Sequence, residues 1–154
     1  MSLIYVHSSG GKIFQAGAME IPAYISSGKI NAIVFSAEEY QPKDHKSNTL
    51  GYYYPSHIER YYVPLDDSTT LNKLEIVDTI FEAERAADFV KSRVQAGRSV
   101  LVTCWQGRNR SGLITGLALK KLTDFAPGQI VFLIQANRQN ALTNSLFERI
   151  IQTV

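Results

Sequence analysis

Val100-Leu101-Val102-Thr103-Cys104-Trp105-Gln106-Gly107-Arg108-Asn109-Arg110-Ser111-Gly112 is the stretch on which the reading of this chain turns. Val100-Leu101-Val102 is the core of an apolar run, residues 99–103, of the kind that forms a strand buried on both faces. A polar loop containing Gly107 follows, and residues 113–122 then read as a helix. Strand, loop and helix in that order bring loop amides and a helix N-terminus to one point, where an anion can be held.

The loop opens on Cys104, the single cysteine of the chain, and closes on Arg110 and Ser111. A free thiol ionises near pH 8.5, so a working thiolate at neutral pH needs that value lowered. A drop of ~3 units is worth ~4 kcal/mol, and a helix N-terminus supplies at most ~2 kcal/mol of it in favourable geometry. The remainder falls to the loop amides, the Arg110 guanidinium and the Ser111 hydroxyl. The same donors would hold phosphate oxygens, which makes Trp105, Gln106, Gly107, Arg108, Asn109 and Arg110 the candidate binding residues. A planar guanidinium grips two oxygens at once, which a lysine ammonium does not. The competing reading of Cys104 is a small buried hydrophobe, the commoner role of a lone cysteine taken without its neighbours.

Working outward, residues 3–7 and 12–16 flank Ser8-Ser9-Gly10-Gly11 and read as a small hairpin. Residues 31–36 and 60–64 are strand-like, and the connection between them, residues 38–57, is longer than most loops in compact domains. Over residues 72–96, Val77, Ile80, Phe81, Ala87, Val90 and Val94 recur at helical spacing, with Thr69 or Thr70 available as a cap and Gly97 as a stop. Further helices are expected after Pro127 and after Thr143. The alternation predicts an α/β fold, a sheet covered by helices, in one domain spanning residues 1–154.

A length of 154 residues with 45% hydrophobic and 19% charged residues fits a globular protein. A net charge of +2, with scattered lysines and arginines, gives no ground to expect nucleic-acid binding. No apolar run reaches the roughly 20 residues of a spanning helix, and no signal-peptide pattern opens the chain, so no membrane association is expected. A lone cysteine fits a reducing, cytoplasmic location.

The Cys104–Ser111 loop resembles the signature of the dual-specificity branch of the protein tyrosine phosphatases. The likeness extends along the chain. Ile13-Phe14-Gln15-Ala16-Gly17 with Gly28 through Val34 resembles the family's opening, Tyr62-Val63-Pro64-Leu65-Asp66-Asp67-Ser68 its acid segment, and Asn137-Arg138 with Asn144 through Phe147 its C-terminal helices. The resemblance implies a central, mostly parallel mixed sheet flanked by helices. It also implies a metal-free, cofactor-free, two-step reaction through a phosphocysteine on Cys104, with an aspartic acid first as acid and then as base. Family spacing after the proline selects Asp67 over Asp66 as that acid, and assigns Ser111 to assist departure of the thiolate. Without the cysteine motif, both aspartates read as solvated loop carboxylates. Asn144 also falls on a family position, although local hydrogen bonding at a helix start accounts for it better. The chain departs from the family at Thr103, where a histidine is usual, and this weakens the expected support of the loop.

The expected substrate is a phosphorylated protein carrying phosphotyrosine, with phosphoserine and phosphothreonine as further candidates, acted on by a monomer. An inward-facing Arg108 would instead suit inositol, phosphoinositide or RNA phosphates, and a weakened nucleophile would leave a phosphoryl-binding module without turnover. The clusters at Tyr52-Tyr53-Tyr54 and Tyr61-Tyr62 fit either a wall for an aromatic ring or alternating strand burial.

Overall fold

Val100–Cys104 (β5) is a strand with every residue buried, and it forms the middle of a five-stranded sheet. The computed structural model describes residues 1–42 and 50–154. Leu3–Val6 (β1) and Lys12–Gly17 (β2) form the expected antiparallel hairpin. Ala32–Ala37 (β3) and Glu59–Leu65 (β4) complete the order β1-β2-β5-β3-β4, parallel except at the hairpin. The sheet is therefore mixed and mostly parallel, in agreement with the sequence. Of the long connection, residues 43–49 lie outside the described residues, and Glu38–Tyr40 forms a short 3-10 turn.

One face of the sheet is covered by Lys73–Gln95 (α2), Arg110–Leu122 (α3), Pro127–Asn137 (α4) and Ser145–Thr153 (α5). The opposite face carries Ile21–Ser27 (α1), a helix the sequence pattern did not disclose, with Pro22 in its first turn and Gly28 ending it at φ +69°. Tyr52, Tyr54 and Tyr62 pack on this second face, where Tyr62 stacks on Phe35 at 4.7 Å between ring centroids. These partly buried rings pack against the core there; only Tyr62 lies in a strand, and Tyr52 and Tyr54 come from the connection that precedes β4.

Helix α2 differs from its sequence reading in two respects. Its cap is Asn72, in a reciprocal capping box with Glu75, and not Thr69 or Thr70. Its buried face runs through Ala83, Ala86, Ala87, Val90 and Val94, whereas Val77 and Phe81 are 61% and 64% exposed. Of the positions expected from the sequence, Ala87, Val90 and Val94 are buried, and Ala83 and Ala86 complete the face in place of Val77 and Phe81. Among the described residues, no helix is long and apolar enough to cross a membrane.

Candidate active site

The loop between β5 and α3 is built so that its carbonyls are consumed on the outside. The amide of Ala18 donates to the Trp105 carbonyl at 3.1 Å, and that of Leu142 to the Arg108 carbonyl at 3.2 Å. Arg138 donates to the carbonyls of Gln106, at 2.8 Å, and Gly107, at 3.0 Å, and Gln15 Nε2 also reaches Gly107, at 2.9 Å. The amides of Trp105 through Asn109, by contrast, have no acceptor among the described residues. Exposed donors on one side and satisfied acceptors on the other make an anion cradle at the N-terminus of α3.

Glycines permit this close approach. Gly107 has φ +69°, and a Cβ there would lie 2.3 Å from the Ala16 carbonyl carbon. A Cβ on Gly17 would meet the Trp105 carbonyl oxygen at 2.8 Å. The end of β2 and the loop can touch only because neither residue has a side chain.

Cys104 is 4% exposed and lines a cleft of about 240 Å³ together with Asp67, Trp105, Arg108 and Arg110. Its Sγ is 3.2 Å from Ser111 Oγ. Arg110 is 8% exposed, and its donors can be assigned one by one. Nη1 donates to Glu39 at 2.7 Å and to the Leu65 carbonyl at 3.2 Å, while Nη2 donates to Glu39 at 2.8 Å. Nε is buried and has no partner among the described residues. A guanidinium carries five N–H groups, so Nε–H and the second Nη2–H remain, side by side on one edge. That edge is the geometry for a bidentate grip on phosphate. The hydrogen bonds from Arg110 hold the Glu39 carboxyl below the usual carboxylate range, against a smaller opposing effect of burial.

Asp67 lines the cleft, and both of its oxygens are held. Asn144 Nδ2 donates to Oδ1 at 2.8 Å, and Asn109 Nδ2 donates to Oδ2 at 3.1 Å. Asp66 turns away into a neighbouring groove. The Asn109 side chain therefore steadies Asp67, whereas the sequence placed this residue only among the binding positions. Asn144 is also the N-cap of α5, accepting from the amides of Leu146 and Phe147. Arg108 lines the Cys104 cleft and an adjoining polar one, and its guanidinium has no hydrogen bond or ion pair among the described residues.

Thr103 does not take over the loop-steadying task of the histidine usual in the family. Its Oγ1 donates to the Val34 carbonyl at 2.7 Å and ties β5 to β3. Support of the loop comes from Gln15 and Arg138. Arg138 is itself anchored by Glu20 at 2.9 and 2.6 Å, and Glu20 also accepts from the Gly17 amide at 2.7 Å. Sequence reasoning missed Glu39, Gln15 and the bracing role of Arg138. Their only signal was polar character next to predicted strand and helix ends. Among the described residues, no group of histidine, cysteine, aspartate and glutamate side chains could hold a metal ion.

The sequence matches no protein-family model and no curated protein. Solved structures match over nearly the whole chain. Human DUSP28 superposes with a TM-score of 0.72 at 19% identity, covering 99% of this chain and 91% of its own. DUSP15 gives 0.72 at 17% identity, over 97% and 85% of the two chains. OH1 from the Orf virus, described as a tyrosine phosphatase with triple substrate specificity, gives 0.66 at 16% identity, over 96% and 82%. The chain has the fold of the dual-specificity phosphatases.

Proposed function

We propose that this chain is a cysteine-dependent phosphatase that hydrolyses phosphate monoesters through a phosphocysteine on Cys104. The observation that carries the proposal is the set of unpaired donors around the thiol, formed by the amides of Trp105 through Asn109 and the free edge of Arg110. Such donors would serve the terminal oxygens of a phosphoryl group, and, being fixed by the fold, would stay in place as charge redistributes in the transition state.

In the first step the Cys104 thiolate attacks phosphorus, the P–O bond to the leaving group breaks, and Asp67 gives its proton to the departing oxygen. In the second step water attacks the phosphocysteine, Asp67 takes a proton from it, and the S–P bond breaks to return the thiolate and release inorganic phosphate. Ser111 Oγ, at 3.2 Å from the sulfur, donates a hydrogen bond to the thiolate as it leaves. Glu39 positions Arg110, while Asn109 and Asn144 position Asp67.

Phosphotyrosine in a protein is the substrate this reading favours, and Arg108, at the cleft without a partner among the described residues, is the observation that favours inositol, phosphoinositide or RNA phosphates as the second reading. Trp105, 47% exposed at the cleft, lies 5.7 Å from Tyr40 between ring centroids and offers an aromatic wall to a phenyl ring. Turnover of a generic aryl phosphate, followed by competition among phosphotyrosine peptide, phosphoserine peptide, inositol phosphate and RNA phosphate, tests both levels of the proposal. No turnover of any member would leave a phosphoryl-binding module.

A further inference from the structure

Glu38-Glu39 and Asp66-Asp67 are adjacent pairs whose members part company. Glu39 and Asp67 serve the Cys104 cleft, whereas Glu38 and Asp66 line a separate groove of about 650 Å³. Glu75, Asp78 and Glu82, on the first turns of α2, face the same groove, and no lysine or arginine lines it. Glu75 is used in the capping box and Glu82 pairs with Arg85 at 2.6 Å. Glu38, Asp66 and Asp78 have no ion pair among the described residues.

A second observation points to an occupant. Thr79 lines the groove and is 8% exposed, yet its hydroxyl has no hydrogen-bond partner among the described residues. Pro64, Leu71 and Phe81 add apolar surface, and Phe81 is 64% exposed. Carboxylates beside a phosphate cradle repel the dianion that the cradle is built to hold. The arrangement becomes favourable when the ligand brings its own cations to the groove. A lysine or arginine stem would cover Leu71 and Phe81, with its charged head among the carboxylates and one N–H on Thr79.

We infer that the groove docks basic residues flanking the phosphorylated side chain of a protein substrate. This rests on the phosphatase reading above and narrows its substrate class. Charge complementarity selects a basic polypeptide, because an inositol polyphosphate or RNA would meet the groove with charge of its own sign.

The test uses two fluorescent phosphotyrosine peptides, one with lysine or arginine on both sides of the phosphotyrosine and one with glutamine at those positions. Binding is measured by anisotropy on the Cys104→Ser protein, alone and with Asp78→Lys or Thr79→Val, at low and high salt. The basic peptide should bind about 10-fold more tightly at low salt, and Asp78→Lys should remove most of that preference. Thr79→Val should weaken the basic peptide alone. Equal affinity for the two peptides, or a preference that survives Asp78→Lys, would overturn the inference. Aryl phosphate turnover by the unsubstituted protein is read in parallel. Its absence counts against the phosphatase reading, while the binding comparison still decides the groove.

Discussion

Asn144 Nδ2 donates to Asp67 Oδ1 at 2.8 Å while its own Oδ1 accepts from the first turn of α5, so one side chain joins a helix start to the proposed acid. Asn144→Asp keeps a good N-cap but loses the donor and sets a carboxylate against Asp67. Asn144→Ala loses both functions and about 1 kcal/mol of cap stability. Turnover should fall in both variants, by roughly 10-fold, and only the alanine should carry the cap loss in thermal unfolding. A turnover loss that simply tracks stability would show that Asn144 serves the helix alone.

Asp67→Asn should lower turnover by roughly 100-fold to 10,000-fold, the usual worth of a positioned general acid. Asp66→Asn should do far less, because Asp66 faces the groove. The Asp67 penalty should shrink for esters with a good leaving group, which need little protonation. Rates on a nitrophenyl and an alkyl-substituted phenyl phosphate measure this, and a larger effect at Asp66 would reverse the assignment.

Glu39→Ala separates positioning from competition. Glu39 occupies one edge of Arg110 and leaves Nε and half of Nη2 for phosphate. If it positions the guanidinium, the variant should lose about 10-fold in kcat/KM and bind inorganic phosphate more weakly. Tighter phosphate binding by Glu39→Ala would mean that the carboxylate competes for the site.

The acid limb of stability follows from the same contacts. Arg110 lowers the Glu39 carboxyl, and Arg93 followed by Arg98 lower Glu59. At Glu20 burial is the largest influence and acts upward, but Arg138 and the Gly17 amide together prevail and lower it. Each carboxyl thus binds its proton less readily in the folded chain than at the unfolded value of 4.5. The stabilisation is full above that value and is lost as pH falls through the lower folded values. Melting temperature followed from about pH 7 to about pH 3 should drop below about 4.5, and less steeply in a Glu20→Gln, Glu39→Gln double variant. Equal slopes would remove these pairs from the account.

The strand-loop-helix unit was legible because it is local: a buried run, a glycine and an apolar helical continuation share one stretch of chain. The place of Asp67 at the cleft was legible only through family spacing, and its separation from Asp66 became physical when the two were seen in different clefts. Glu39, Gln15 and Arg138 were not legible, since each reaches the loop from another element and no periodicity ties Gln15 to Gly107 or Glu39 to Arg110. On α2 the spacing found Ala87, Val90 and Val94, which are buried, but it also included Val77 and Phe81, which stand exposed near the start of the helix, where Ala83 and Ala86 turn inward instead.

The most direct test is acid-quenched single turnover with an aryl phosphate, followed by mapping of phosphate on the protein. Phosphate should appear on Cys104 at a rate that accounts for turnover, and it should be absent from Cys104→Ser, which should still bind phosphotyrosine peptide. Hydrolysis without an adduct, together with retained turnover in Cys104→Ser free of contaminating phosphatase, would contradict the account.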